Sequence, residues 1–231
     1  MSETIDRIIN NAKIAAPIWD KFINQKENKN FKAYFHLRPT SIGITIVSTS
    51  PYAPMRGIKV SAAELEYTLS EIKKSYNSLV SADETTAKNR FAELGFKART
   101  SDIMREENVQ ARMIRGMVRN RPQYENIRFV ASELTIMQKH RLDVVGIRDE
   151  VLYIFEMKNI RSTKAPDQAD RYLEHISQRD NDFKTLLNVY PGGPFDYKGV
   201  EGISVEPFAE NTSLRERTNL WLFEDGLDFY K

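Results

Sequence analysis

At 231 residues the chain can bury a substantial core, as one large domain or two small ones. A hydrophobic share of 41% and a charged share of 29% suit a soluble globular protein, and the absence of cysteine excludes thiol nucleophiles, disulfides, zinc knuckles and iron–sulfur clusters. A formal charge of +2 is too small to announce nucleic-acid binding, and no apolar run approaches membrane-spanning length. The opening Met1-Ser-Glu-Thr-Ile-Asp-Arg7 is no signal peptide, which makes the cytoplasm the expected location and a membrane partner unexpected.

Residues 2 to 24 read as a helix with Ile5, Ile8, Ile9, Ala12 and Ala16 on one stripe, followed by a polar linker from Asn24 to Asn30. Two strands are expected over Phe31 to Arg38 and Ile42 to Thr49, joined by a turn at Pro39-Thr-Ser41. Ser61-Ala-Ala-Glu64 has the pattern of a capping box and opens a helix to about Val80. A further helix, Asp83 to Leu94, stops at Gly95. Residues 1–97 carry no catalytic constellation. They are expected to be an α+β substrate-positioning or oligomerisation region, or a plain extension packed on the rest of the chain.

Thr100-Ser101-Asp102 is a good helix start, and Ile103 to Asn120 has helical periodicity. Glu106 lines up with Val109 and Met113, and Glu107 with Ile103, Gln110 and Ile114, so either acid can lie at the edge of the buried face. The dipole at the helix start accounts for at least one of them without any further role. Arg112, Arg115 and Arg119 share one face of the same helix, either as solvated surface or as phosphate contacts. The strand expected over Phe129 to Ile136 contains Glu133. Counting across a turn near Lys139-His140 sets Glu133 opposite a residue near Gly146, well away from Asp143, a structural or peripheral place with a functional role as the alternative.

The segment Arg141-Leu-Asp-Val-Val-Gly-Ile147 is apolar and β-branched, and a polar break at Arg148-Asp149-Glu150 separates it from Val151-Leu-Tyr-Ile-Phe-Glu-Met-Lys158. That is a hairpin signal. If Ile147 pairs with Val151 or Leu152, Asp143 falls opposite Phe155 or Glu156, and Glu156 shares a strand face with Lys158. Two carboxylates and an ammonium then converge in an apolar hairpin, where a divalent cation would offset the cost of burying them. The alternative is a salt bridge at the rim of the sheet, worth little. Gln168 and Tyr172 are four apart on one face of a helix expected over residues 166 to 188, and His175 lies seven beyond Gln168. His140 reads as a loop residue. Gly192-Gly193-Pro194 marks a turn, and short strands are expected at Gly199 to Val205 and Asn219 to Phe223.

Asp143, a twelve-residue gap, Glu156-Met157-Lys158, a basic loop with Arg161 and Lys164, and Gln168-x-x-x-Tyr172 together resemble the PD-(D/E)XK nuclease superfamily, nearest its NucS-like and RecB-like branches. The resemblance covers roughly residues 101 to 190, and Leu142 stands where the name-giving proline would be. It implies a restriction-endonuclease-like α/β core over residues 98–231, built as helix, three strands, helix and further strands around a mixed sheet. It implies a deoxyribonuclease that hydrolyses phosphodiesters with Mg²⁺ or Mn²⁺. Asp143, Glu156, the Met157 carbonyl and Glu106 or Glu107 would be ligands, while Lys158 would orient or deprotonate water or steady negative charge. Gln168 and Tyr172 would hold the nucleotide or the water. DNA would be the partner, met by Arg161, Lys164, Arg115 and Arg119, and cutting of both strands would favour a homodimer. The alternative is a nuclease-fold protein that binds nucleic acid or a partner without cutting.

Overall fold

The computed structural model describes residues 3–22, 31–48, 58–61, 63–79, 126–137, 140–158, 164–206 and 218–222, with isolated positions at 86, 89, 92, 93, 110, 113, 114, 116, 117 and 124. Two compact units divide the chain. One is Met1–Thr100 with Val189–Pro194, and the other is Ser101–Asn188 with Phe195–Lys231.

In the first unit, helix α1 (Glu3–Phe22) buries Ile5, Ile8, Ile9, Ala12 and Ala15, the three-and-four spacing that makes a single apolar stripe. Ala15, not the expected Ala16, closes that stripe. Strands β1 (Phe31–Leu37) and β2 (Ile42–Ser48) pair antiparallel from Leu37 with Ile42 to Phe31 with Ser48, and β3 (Ile58–Val60) joins β2. The Arg38 amide donates to the Ser41 carbonyl across the expected turn at 3.0 Å. Helix α2 spans Leu65–Leu79. Ser61 and Glu64 do meet, the hydroxyl donating to the carboxylate at 2.7 Å, but they close a turn ahead of the helix. The first helical carbonyl is that of Glu64, which accepts from the Thr68 amide at 2.9 Å. Phe35, Leu37, Ile42, Ile44, Leu65, Leu69 and Ile72 complete the core. The distant segment 189–194 belongs to this unit as well: the Tyr190 hydroxyl donates to the Phe35 carbonyl at 3.2 Å.

The second unit is mixed α/β. Strands β4 (Arg128–Met137), β5 (His140–Arg148) and β6 (Val151–Met157) run antiparallel in sequence order. Helices α3 (Lys164–Gln178) and α4 (Asp180–Asn188) then return the chain to β7 (Gly199–Glu206) and β8 (Thr218–Leu222). Both are parallel to β6 and complete a five-stranded sheet in the order β4-β5-β6-β7-β8. The single helix expected over 166 to 188 is therefore two. The Arg179 amide bonds back only three residues, to Ile176 at 3.0 Å, and the Asp180 carboxylate is held by Tyr197 at 2.8 Å. A tightened turn fixed from the side ends one helix and starts the next. The β5–β6 link is also shorter than its polar break, because Arg148 pairs with Val151 and only Asp149 and Glu150 turn, at φ 51° and 61°. Positive φ at both central residues is the two-residue hairpin whose twist matches the strands.

Two glycines assign the faces of this sheet. A Cβ on Gly202 would stand 3.1 Å from Leu173 of α3, and Gly202 pairs with Ile154, so α3 covers the face bearing Ile154 and Glu156. A Cβ on Gly146 would stand 2.6 Å from Ile127, with Met117 at 3.6 Å, so Ile127 and helical Met117 cover the opposite face. Among the described residues, no helix is long and apolar enough to cross a membrane.

Candidate active site

Register brings Asp143 and Glu156 together. Val144 pairs with Phe155, and one further step along these antiparallel strands sets Asp143 against Glu156, on the face under α3. An Asp143 side-chain oxygen (Oδ2) accepts from the Met157 amide at 2.8 Å, so this carboxylate takes over a ladder bond at the frayed end of the pair. Glu156 is 1% exposed. An isolated carboxylate there would be strongly disfavoured, and the Lys158 ammonium meets its Oε1 at 2.6 Å. That ammonium also donates to the Met157 carbonyl at 3.0 Å, while the Lys158 amide reaches the Val205 carbonyl at 3.0 Å and keeps the chain beside β7.

Tyr172 lies over this group from α3, 2% exposed, with its hydroxyl accepting from the Gln168 amide at 2.6 Å. Burial first, then the charge of Glu156, pushes its phenol up to about 12, with Asp143 adding to the rise and Lys158 opposing it. The tyrosine therefore stays protonated and senses all three charged groups. His140 opens β5 with its ring edge-on to Tyr172, centroids 6.1 Å apart, so it borders the site rather than standing in a loop. His175, one turn on from Tyr172, packs its ring edge-on against Phe183, centroids 6.5 Å apart, and feels the charge of His140.

Glu133 occupies a different place from the one counted in the sequence. It falls between the pairs Ser132–Val144 and Leu134–Leu142, and so lies opposite Asp143, not Gly146. The counting failed because β4 and β5 meet as Met137 with His140 and then slip by one residue at Thr135. A bulge of that kind adds a residue to one strand without any composition signal. Glu133 itself sits at φ 54°. Its carboxylate accepts from Arg141 and, at 3.2 Å, from the Gln110 amide. The same Gln110 nitrogen donates to the Asp143 carbonyl at 2.6 Å.

Asp143, Glu156, Met157, Lys158, Gln168 and Tyr172 are thus one neighbourhood. Glu106, Glu107, Arg115, Arg119 and Arg161 lie outside the described residues, and Lys164 is the first residue of α3. Sequence reasoning set Glu133 at the periphery and gave Gln110 and Arg141 no part in the site. Of these, Arg141 was within reach, since period-two alternation puts it on the face of Asp143. Comparison with protein-family models, with curated proteins and with solved structures finds no match for this chain.

Among the described residues, no three histidine, aspartate or glutamate side chains are grouped to hold a metal ion. The donor set nonetheless fits a hard cation. The Lys158 ammonium stands between the Glu156 carboxylate and the Met157 carbonyl, so two oxygen groups already meet a positive charge, and Asp143 is bound to the Met157 amide at the same strand end. Two carboxylates and a carbonyl, with water and substrate oxygens, are what Mg²⁺ accepts.

Proposed function

We propose that the chain is a divalent-metal-dependent nuclease that hydrolyses DNA phosphodiester bonds, with a restriction-endonuclease-like core. The observation that carries this reading is the convergence of Asp143, Glu156 and Lys158 at the open end of the β5–β6 pair, beneath Gln168 and Tyr172. Asp143, Glu156 and the Met157 carbonyl would hold Mg²⁺ or Mn²⁺, which would supply a water of lowered pKa and positive charge for the scissile phosphate. The chain's own groups do the rest. Asp143 is anchored by the Met157 amide, so its carboxylate presents a fixed direction. The Lys158 ammonium, already poised on Glu156, orients the water and donates to the phosphate oxygen as negative charge grows on it. Tyr172, kept neutral, offers its hydroxyl as a donor, and Gln168 fixes the direction of that hydroxyl.

Cleavage of plasmid, linear and branched DNA with Mg²⁺ or Mn²⁺ tests this. The expected outcome is metal-dependent product that falls by about a hundredfold or more in Asp143→Ala and in Lys158→Ala, the range for loss of one electrostatic or proton-transfer group. Activity that survives either change places the reaction elsewhere. An RNA substrate in the same panel decides between the two nucleic acids. A second reading, a nuclease-fold protein that binds without cutting, draws on the lysine–glutamate pair, which neutralises the buried acid within the chain itself. It predicts DNA binding, unchanged by metal, with no product.

A further inference from the structure

Arg141 is two residues before Asp143 on β5, and from Arg141 to Val144 exposure alternates, with Leu142 and Val144 buried and Arg141 open. Its guanidinium therefore stands on the face of Asp143, one same-face step away, about 7 Å along the strand. The Arg141 side chain is 49% exposed and ion-paired to Glu133, whose side chain is 23% exposed. That pair is the diagonal neighbour of the Glu133–Asp143 position, the geometry in which two strands share one face.

Glu133 is an expensive way to hold an ordinary surface arginine. It adopts φ 54°, a backbone conformation disfavoured for a residue with a side chain, between two register shifts of the β4–β5 pair. From that backbone conformation its carboxylate meets Arg141, while Gln110 bonds both the carboxylate and the Asp143 carbonyl. The guanidinium is a rigid fork of five donors, of which a carboxylate takes two at most, so its outer edge is directed to solvent beside the acid site. The opposing need is plain: two carboxylates repel a phosphodiester, and a fixed cation beside them would draw it in.

We infer that Arg141 is a DNA-phosphate contact, gripping a backbone phosphate next to the one cleaved, and that Glu133 and Gln110 are positioning residues that aim its guanidinium. The inference rests on the nuclease reading and names how that site takes hold of its substrate. The arginine supplies binding, and the chemistry stays with Asp143, Glu156 and Lys158.

The test uses the full chain and a fluorescein-labelled DNA duplex, with anisotropy read across a salt series and steady-state cleavage in Mg²⁺. Arg141→Ala is expected to raise KM and Kd about tenfold with kcat changed less than about threefold, and to reduce the slope of log Kd against log salt by about one, the loss of a single phosphate contact. Arg141→Lys keeps the charge but not the fork, so its salt slope stays near that of the parent while KM rises by a few fold. Glu133→Gln leaves the arginine charged but unaimed and should likewise raise KM with little change in kcat. An unchanged Kd and salt slope in Arg141→Ala, beside a dead Asp143→Ala, overturns this inference and leaves the nuclease reading standing. Equal losses of kcat and melting temperature in Arg141→Ala and Glu133→Gln, with KM unmoved, also overturn it, since the pair would then be a structural clip. If Arg141→Ala fails to fold, Arg141→Lys and Glu133→Gln carry the decision. A parent chain that neither binds nor cuts DNA removes both proposals together.

Discussion

His175 illustrates how a side chain in the candidate domain can matter to folding without joining the chemistry. Its Nε2 is buried with no hydrogen-bond partner, and the ring packs edge-on against Phe183. Burial holds the imidazole below its ordinary value, opposed by a hydrogen bond to the Ile136 backbone and reinforced by the charge of Arg179. In the fold His175 therefore stays neutral at pH values where the unfolded chain takes up a proton. Stability should be intact above the unfolded value of 6.5 and fall as pH drops below it. In His175→Gln this component of the decline disappears, so urea midpoints measured from about pH 7.5 down to about pH 5 should fall less steeply than in the parent. A parallel pair of curves would show that the imidazole does not titrate differently on folding. Asp143, Glu156 and Lys158 were legible as a group for a simple reason: a short hairpin and a period of two translate sequence distance directly into space. Glu133 was not, because its neighbourhood depends on a bulge.

Among the secondary-structure elements, the most restrictive contact is the one beneath β5. A methyl group at Gly146 would meet the Ile127 Cγ2 at 2.6 Å, an arm of a β-branched side chain that is stiff about χ1. Gly146→Ala should therefore destabilise the second unit by about 1–3 kcal/mol through overpacking, read as a lower denaturant midpoint at unchanged m-value. Gly202→Ala faces the flexible end of Leu173 at 3.1 Å and should cost less. A Gly146→Ala chain as stable as the parent would mean that Ile127 does not lie against β5. Apart from the three-residue β3, which no alternation announces, the strands were readable from alternation and β-branched composition, with bounds shifted by a residue or two. The break of the long helix at Arg179 was not, since Arg179 and Asp180 are ordinary helix-surface residues and the constraint comes from Tyr197, seventeen positions after Asp180.

For the molecule as a whole, the notable feature is that the first unit is not a contiguous stretch of chain. Tyr190 is 3% exposed, and the segment around it sits with residues 1–100 though it comes after α4. A Cβ on Gly192, itself at φ +85°, would stand 3.5 Å from the Trp19 indole. Tyr190→Ala should cost the first unit about 3 kcal/mol or more, as for other large buried aromatics, whereas Tyr190→Phe keeps the ring and loses the hydroxyl's bonds to the Phe35 carbonyl and the Leu37 backbone, about 1 kcal/mol. Thermal or denaturant unfolding monitored by tryptophan fluorescence checks both, and equal effects of the two changes would show that the ring is not packed there. From residue order alone, Gly192-Gly193-Pro194 reads as a turn and nothing more.

Local patterns in the chain were enough to specify the helices' apolar stripes, the strand segments, and the meeting of Asp143 with Glu156 and Lys158, because each depends on contacts within about twenty residues of one another. The surroundings of that trio, with Tyr172 and Gln168 from α3, Arg141 from β5 itself, Glu133 from β4 and Gln110 beside it, were decided by strand register, a bulge and helix packing. Those are long-range couplings, fixed by how side chains fill space between elements, and no periodicity in the sequence encodes them.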